Sequence, residues 1–178
     1  MKPVLRGDGF VVVPSRAQDL DDLCRLLWDR EVRRYLCDDI ELPRDQIADM
    51  LARSDALTPR GLGLWTIRSP ADDMLGCVGA KPVDPAVKTD PLVAGEIEPT
   101  IALSPAAWGK GLATEVLRMV IDHAFNRLGL NRLVAIVDEP NTASRRLMAR
   151  VGFRETGSGD GPKYRLIFHR LDAPLREA

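Results

Sequence analysis

The sequence predicts a mixed α/β domain whose central sheet is mostly antiparallel and is flanked by helices. Three observations predict it. Short runs rich in β-branched and apolar residues fall at positions 10–13, 64–67, 75–83, 96–103 and 133–137. Stretches with apolar residues at helical spacing lie among them. The joint between 64–67 and 75–83 is only a turn, which makes those two runs antiparallel neighbours.

Each element has a local reason. Residues 10–13 read as a first strand stopped by Pro14, and Ser15 offers an N-cap to a helix carrying Leu20, Leu23, Leu26 and Leu27. A mixed-charge segment follows at 30–42, and Pro43 opens a second helical stretch through Ile47, Met50 and Leu51. The strands at 64–67 and 75–83 are joined by the turn Pro70-Ala71-Asp72-Asp73. Residues 84–91 read as a loop and 96–103 as the next strand. Pro99 has no ladder N–H, so that strand is expected at an edge or a bulge.

A glycine-containing turn, 104–111, then feeds a helix with Ala113, Val116, Leu117, Val120, Ala124 and Leu128 on one face, ended by Gly129. The near-continuous apolar run Leu133-Val134-Ala135-Ile136-Val137 reads as a buried strand. Asn141 caps a helix with Ala143, Leu147, Met148 and Val151 inward, and Gly152 stands where a left-handed residue ends it. A turn at 157–161 joins two last strands, the second at 164–169.

Bulk composition bounds the function. A chain of 178 residues with 45% hydrophobic content can fill one core, so residues 1–178 are expected to form a single domain. The balance of 25 Lys+Arg against 26 Asp+Glu argues against a large electrostatic footprint for nucleic acid or an anionic membrane. Neither a secretory leader nor an apolar run of membrane-spanning length is visible. Cys24, Cys37 and Cys77 are odd in number and form no CxxC, and with only His123 and His169 beside them no metal site is expected. These features point to a protein of the reducing cytoplasm.

The most chemically suggestive stretch is Trp108-Gly109-Lys110-Gly111-Leu112-Ala113-Thr114, between a strand and a helix. The first amides of a helix have no intrahelical partner, and its dipole favours an anion there. Glycines at 109 and 111 would let phosphate oxygens approach, with Lys110 adding charge; they would equally serve a tight strand-to-helix turn. A P-loop does not fit, because Ser104 stands at its first glycine and Gly111 follows the lysine. A dinucleotide fingerprint matches Gly109 and Gly111 but meets Thr114 at its third glycine. Only about forty residues follow Asp138, too few for the rest of a doubly wound sheet.

Residues 104–153 resemble the acetyl-CoA-binding core of the GNAT superfamily, in the branch that includes ribosomal-protein N-terminal acetyltransferases. Three pieces carry the resemblance: Trp108-Gly109-Lys110-Gly111-Leu112-Ala113-Thr114-Glu115, Asn141-Thr142-Ala143-Ser144, and Arg150-Val151-Gly152-Phe153. The resemblance implies the GNAT acyl-CoA N-acyltransferase fold and transfer of acetyl from acetyl-CoA, with no metal, to a primary amine by direct attack in a ternary complex. The amine could be a protein N-terminus or a small molecule, and a homodimer is compatible with this family. It also implies that amides from Gly109 to Ala113 hold the pyrophosphate. Leu103 and Ser104 would meet the pantetheine arm and point an amide at the thioester carbonyl, where it stabilises an oxyanion. Asn141 would contact the same arm. The alternative is a catalytically silent acyl-CoA-binding module or sensor.

For the protons, Glu98 falls where this branch often has Glu and would act as base, directly or through water; a cross-strand ion pair is its structural alternative. Glu96 and Asp138 are lesser candidates. Many superfamily members place a Tyr acid where this chain has Met148, and a thioether donates no proton. Ser144, one turn earlier, is the remaining donor near the cofactor sulfur, although at the third helical position it could bond only to Asn141 or water. His123 reads as a packing or surface residue. Trp28 and Tyr35 bracket a segment that contacts substrate in the family, with core packing as the alternative, and Asp38, Asp39 and Glu41 could attract an amine there or simply form a solvated face.

Overall fold

The computed structural model describes residues 1–83 and 93–174, so the loop expected at 84–91 lies outside the described residues. In chain order the elements are β1 (Leu5–Gly7), β2 (Phe10–Pro14), α1 (Leu20–Trp28), α2 (Arg30–Arg33), α3 (Arg44–Leu57), β3 (Gly63–Arg68), β4 (Met74–Pro82), β5 (Ile97–Leu103), α4 (Leu112–Asp122), β6 (Arg132–Asp138), α5 (Thr142–Arg150), β7 (Arg154–Gly159) and β8 (Leu166–Asp172). Two antiparallel sheets result, in the orders β1-β2-β3-β4-β5 and β6-β8-β7.

Most of the expected order is present. The β3–β4 turn is held by Ser69, whose hydroxyl accepts the amides of Ala71 and Asp73. β5 lies at the edge of its sheet, as Pro99 requires. The end of α5 closes as expected: Gly152 has φ +101°, its amide bonds the Ala149 carbonyl, and the Phe153 amide reaches back to Met148.

Four local readings are corrected. β1 was not expected; it forms a hairpin with β2 across Asp8-Gly9, with Gly9 at φ +72°. The Asp-Gly signal was present, but a three-residue strand beside Pro3 has no pattern of its own. Ser15 does not cap α1: its hydroxyl is buried without a partner, and a short turn at Ala17–Asp19 intervenes, tied by Asp19 to the Arg16 amide. Gly157 and Gly159 belong to β7 rather than a turn, next to a register shift against β8, and β8 runs on to Asp172 because Arg132 pairs with it there. Ala143 is exposed, so the inner face of α5 rests on Met148, with Leu147 and Val151 half-buried.

The main core lies between the first sheet and α4. Val116, Leu117 and Val120 of α4 pack against Trp65, Ile67, Val78, Leu133 and Met148. Each fully buried aliphatic side chain contributes about 1.5–3 kcal/mol, which fixes α4 against both sheets. A second cluster seats α1 and α3 on the opposite face through Leu23, Leu27, Ile47, Cys77 and Ala102. His123 begins a π-helical turn at the end of α4, where its Nε2 donates to the Gly61 carbonyl at 2.9 Å and its ring meets Trp65 edge-on. It is a packing residue.

Candidate active site

The two sheets meet along β5 and β6, and the backbone directions there can be read from the ladders. Ser104 N donates to Leu75 O and Val83 N to Glu96 O, so even-numbered residues of β5 bond to β4. By alternation, the backbone groups of residues 97, 99, 101 and 103 face outward. On β6, Glu139 N bonds Arg165 O, so odd-numbered residues bond to β8 and the backbone of 132, 134, 136 and 138 faces β5. Pro99 therefore costs β4 no ladder bond.

No ladder joins β5 to β6 among the described residues. They touch side by side at one end, where Arg132 Nη1 lies 3.3 Å from Glu96 Oε1 and the Ile136 amide donates to Glu98 Oε1 at 2.9 Å. Both contacts advance in the same direction along the two strands, so β5 and β6 run parallel here, and no backbone hydrogen bond joins them further on, toward Leu103 and Asp138, among the described residues. The result is a gap closed at the Glu96 end and open at the other.

β5 passes from this open end through Ser104 and a short turn at Pro105–Ala107 into α4. Gly109 and Gly111 have φ of +73° and +80°, the region that favours glycine. A Cβ on either would meet nothing within 4 Å, so packing does not demand glycine here; the backbone angle does, and the space above stays open. Gly111 caps α4 with its carbonyl, taken by the amides of Thr114 and Glu115. Among the described residues, the amides at positions 109–113 have no hydrogen-bond partner. This row of donors at a helix N-terminus is suited to a phosphate.

The sequence-predicted residues sort as follows. Leu103 turns its backbone outward into the gap and its carbonyl accepts Trp108 Nε1 at 2.9 Å, which ties the loop to the strand end. The Ser104 amide is committed to Leu75 instead, so an amide facing a thioester in the gap is that of Leu103 or Ile101. Lys110 Nζ folds back onto the Ala106 carbonyl at 2.8 Å. Leu112 and Ala113 are half-buried on the first turn of α4. Thr114 is buried, with its hydroxyl 3.5 Å from Arg150 Nη1 of α5. Asn141 Oδ1 accepts the Ser144 amide at 3.1 Å, so the cap is real, while Ser144 itself is half-buried on the first turn of α5.

Glu98 and Ala102 share a face of β5, and Ala102 packs with α1 and α3. The segment after α2 and the β7–β8 turn meet each other. Tyr35 and Tyr164 stand 6.0 Å apart, centroid to centroid, and Lys163 Nζ lies 3.0 Å from Asp39. This hydrogen bond holds the Asp39 carboxyl below its ordinary pKa and raises that of Lys163. Arg33 binds Glu41 and lies 3.6 Å from Asp39. The acidic run expected to attract an amine is thus largely matched by the chain's own cations. Trp28 bonds the Leu42 carbonyl at 2.8 Å and supports this segment. Neither the bridge nor the Glu98–Ile136 contact was foreseen, since each joins residues far apart in sequence.

A separate cavity of about 380 Å³ opens beside Ser104, lined by Asp22, Arg25, Asp29, Asp72 and Asp73. Its carboxylates already serve the fold. Asp29 caps α2, and Asp22 and Asp72 flank Arg68, which also pairs with buried Asp19 at 2.6 Å.

Comparison with known proteins agrees with this geometry. The profile of the Acetyltransferase (GNAT) domain matches residues 10–154. The uncharacterized N-acetyltransferase p20 of Bacillus licheniformis is 30% identical over 142 residues, covering 79% of this chain and 76% of that protein. Among solved structures, a GnaT-family acetyltransferase from Bordetella pertussis superposes with a TM-score of 0.83 at 22% identity, covering 95% of this chain and 99% of the other. The acetyltransferase yncA of Salmonella typhimurium, solved with its cofactor acetyl-CoA, gives 0.73 at 20% identity, covering 96% and 98%. An unpartnered phosphate-type loop, a gap between two sheets and a family profile spanning both lead to one assignment: this chain belongs to the GNAT family and is an N-acetyltransferase.

Proposed function

We propose that this protein, in one domain, transfers acetyl from acetyl-CoA to a primary amine, a protein N-terminus or a small molecule, by direct attack in a ternary complex. The observation that carries the reading is the row of unpartnered amides at 109–113, set beside the open end of the β5–β6 gap. When bound, acetyl-CoA supplies the acyl group as a thioester. The residues present fit it: donors and a helix dipole for the pyrophosphate, and outward amides of Ile101 and Leu103 along the gap for the pantetheine arm and thioester oxygen.

Glu98 stands on the face shared with the segment after α2, where an amine would arrive. It takes the ammonium proton, directly or through water. Ser144, at the start of α5, donates toward the departing sulfur or orders a water that does, because Met148 cannot. The self-matched charges of Asp39, Glu41, Lys163 and Arg33 favour an acceptor that does not depend on a polyanionic mouth. Cys24 and Cys77 are buried and form no disulfide, which supports action in a reducing cytoplasm.

The test is thioester turnover with a panel of amines, read by product mass, together with thermal shifts by CoA and NAD. Acetylated product and a CoA-specific shift are expected. A CoA shift with no transfer to any amine would leave a binding module, and an equal shift by NAD would revive the dinucleotide reading.

A further inference from the structure

We infer that Glu98 is a positioning residue as well as a base: its carboxylate is the strut that parts β5 from β6 and so sets the width of the gap. In a continuous sheet, the Ile136 amide, which faces β5, would donate to an outward carbonyl of that strand. Here it donates to Glu98 Oε1 at 2.9 Å instead. A side chain has taken the place of a ladder carbonyl, and its three extra carbons of reach allow a separation wider than the usual strand spacing of about 4.8 Å.

The neighbouring positions act in the same sense. Pro99 also faces β6 and has no N–H to offer, so β6 finds no backbone donor at the next place along β5. Behind them, Arg132 spans Glu96 and Asp172, at 3.3 and 3.1 Å, and holds the closed end together. An ion pair, then a side-chain strut, then a residue without a donor: this order ends pairing at one point. Without the strut, the Ile136 amide would be left facing β5 unsatisfied, or β6 would close toward β5 to satisfy it. Either change alters the gap that receives the pantetheine arm.

The inference rests on the proposal that acetyl-CoA enters this gap, and a substitution series separates the two. Glu98→Gln keeps an oxygen of the same reach, so its acetyl-CoA affinity should stay within about twofold of wild type. Glu98→Ala removes the acceptor and Glu98→Asp shortens it; each should lower stability through the orphaned Ile136 amide and, by altering the gap, weaken acetyl-CoA binding by about tenfold. Amide exchange at Ile136, followed by NMR without any cofactor, should quicken in the Asp and Ala variants and stay protected in the Gln variant. Wild-type affinity in the Asp variant, or an unchanged Ile136 amide, would overturn the strut even if Glu98→Ala fails to fold. The base is read separately. Glu98→Gln should lose rate mainly at low pH, and an unaltered pH–rate profile would remove the base role while leaving the strut in place. If wild type itself showed no CoA binding, the entry of acetyl-CoA would fail instead.

Discussion

β5 and β6 both run to the open end of the gap and pass through a short turn into a helix, yet the two helix N-termini satisfy their amides in opposite ways. α4 begins at Gly111, which has no side chain to cap it, and its leading amides stay open. α5 begins at Asn141, whose side chain takes the Ser144 amide at 3.1 Å. Both helices carry the same dipole, so the difference lies in capping. An uncapped N-terminus can receive an external anion at no local loss, whereas a capped one must first give up an internal bond. The α4 side of the gap is therefore the wall that holds charge. The α5 side contributes side chains.

The sharpest way to break this comparison is Gly111→Asp, which puts a carboxylate where the phosphate should sit. CoA affinity should fall by at least about 100-fold, since charge-assisted hydrogen bonds of roughly 1.5–3 kcal/mol each are blocked and a repulsion is added. Gly111 has φ +80°, so the variant should also lose about 1 kcal/mol of stability from strain, measurable by melting without ligand. A folded variant that binds CoA as wild type does would show that the charge-holding wall is elsewhere.

This contrast was largely legible in the sequence, because both caps are local. Glycines at 109 and 111 and an asparagine at 141 carry their meaning within a few residues of chain, and Gly152 did the same for the end of α5. The gap itself has no signal in the local pattern of residues. What separates β5 from β6 is the contact of Glu98 with Ile136, thirty-eight positions away, and no periodicity reports such a pair. The same holds for Lys163 and Asp39, 124 positions apart, whose pairing reverses the meaning of an acidic run that looked free in sequence. Ser15 was misread because a hydroxyl after a strand resembles a cap even when tertiary structure buries it.

A smaller effect is expected on the α5 wall. Ser144→Ala leaves the amide that Asn141 caps intact, so fold and CoA affinity should hardly change. Turnover should drop by roughly 10- to 100-fold, the lower range for general-acid assistance, because a CoA thiol leaves near neutral pH with little help. Steady-state kinetics at saturating acetyl-CoA measures this. Unchanged turnover would assign the proton to water alone, and a raised Kd for CoA would mean that α5 also holds the cofactor by its main chain.

The least effect should come from Met148→Leu, and its smallness is informative. Met148 stands where many relatives in the superfamily carry a tyrosine acid, but here it is 3% exposed and packed in the core with Val120, Leu133 and Phe153. Its side chain carries no proton to give. Its backbone carbonyl has a fixed duty, accepting the Phe153 amide at 3.0 Å in the closing turn of α5, and leucine preserves that bond. Because the exchange conserves volume, it should cost under about 1.5 kcal/mol, which for a domain of this size is a fall in Tm of at most about 6 °C. Turnover should stay within about twofold of wild type, since no proton path is removed. If Met148→Leu instead cut turnover by more than about tenfold with the fold intact, position 148 would have to reach the reacting sulfur. The division between a wall that holds charge and a wall whose Ser144 moves a proton would then need redrawing around the middle of α5.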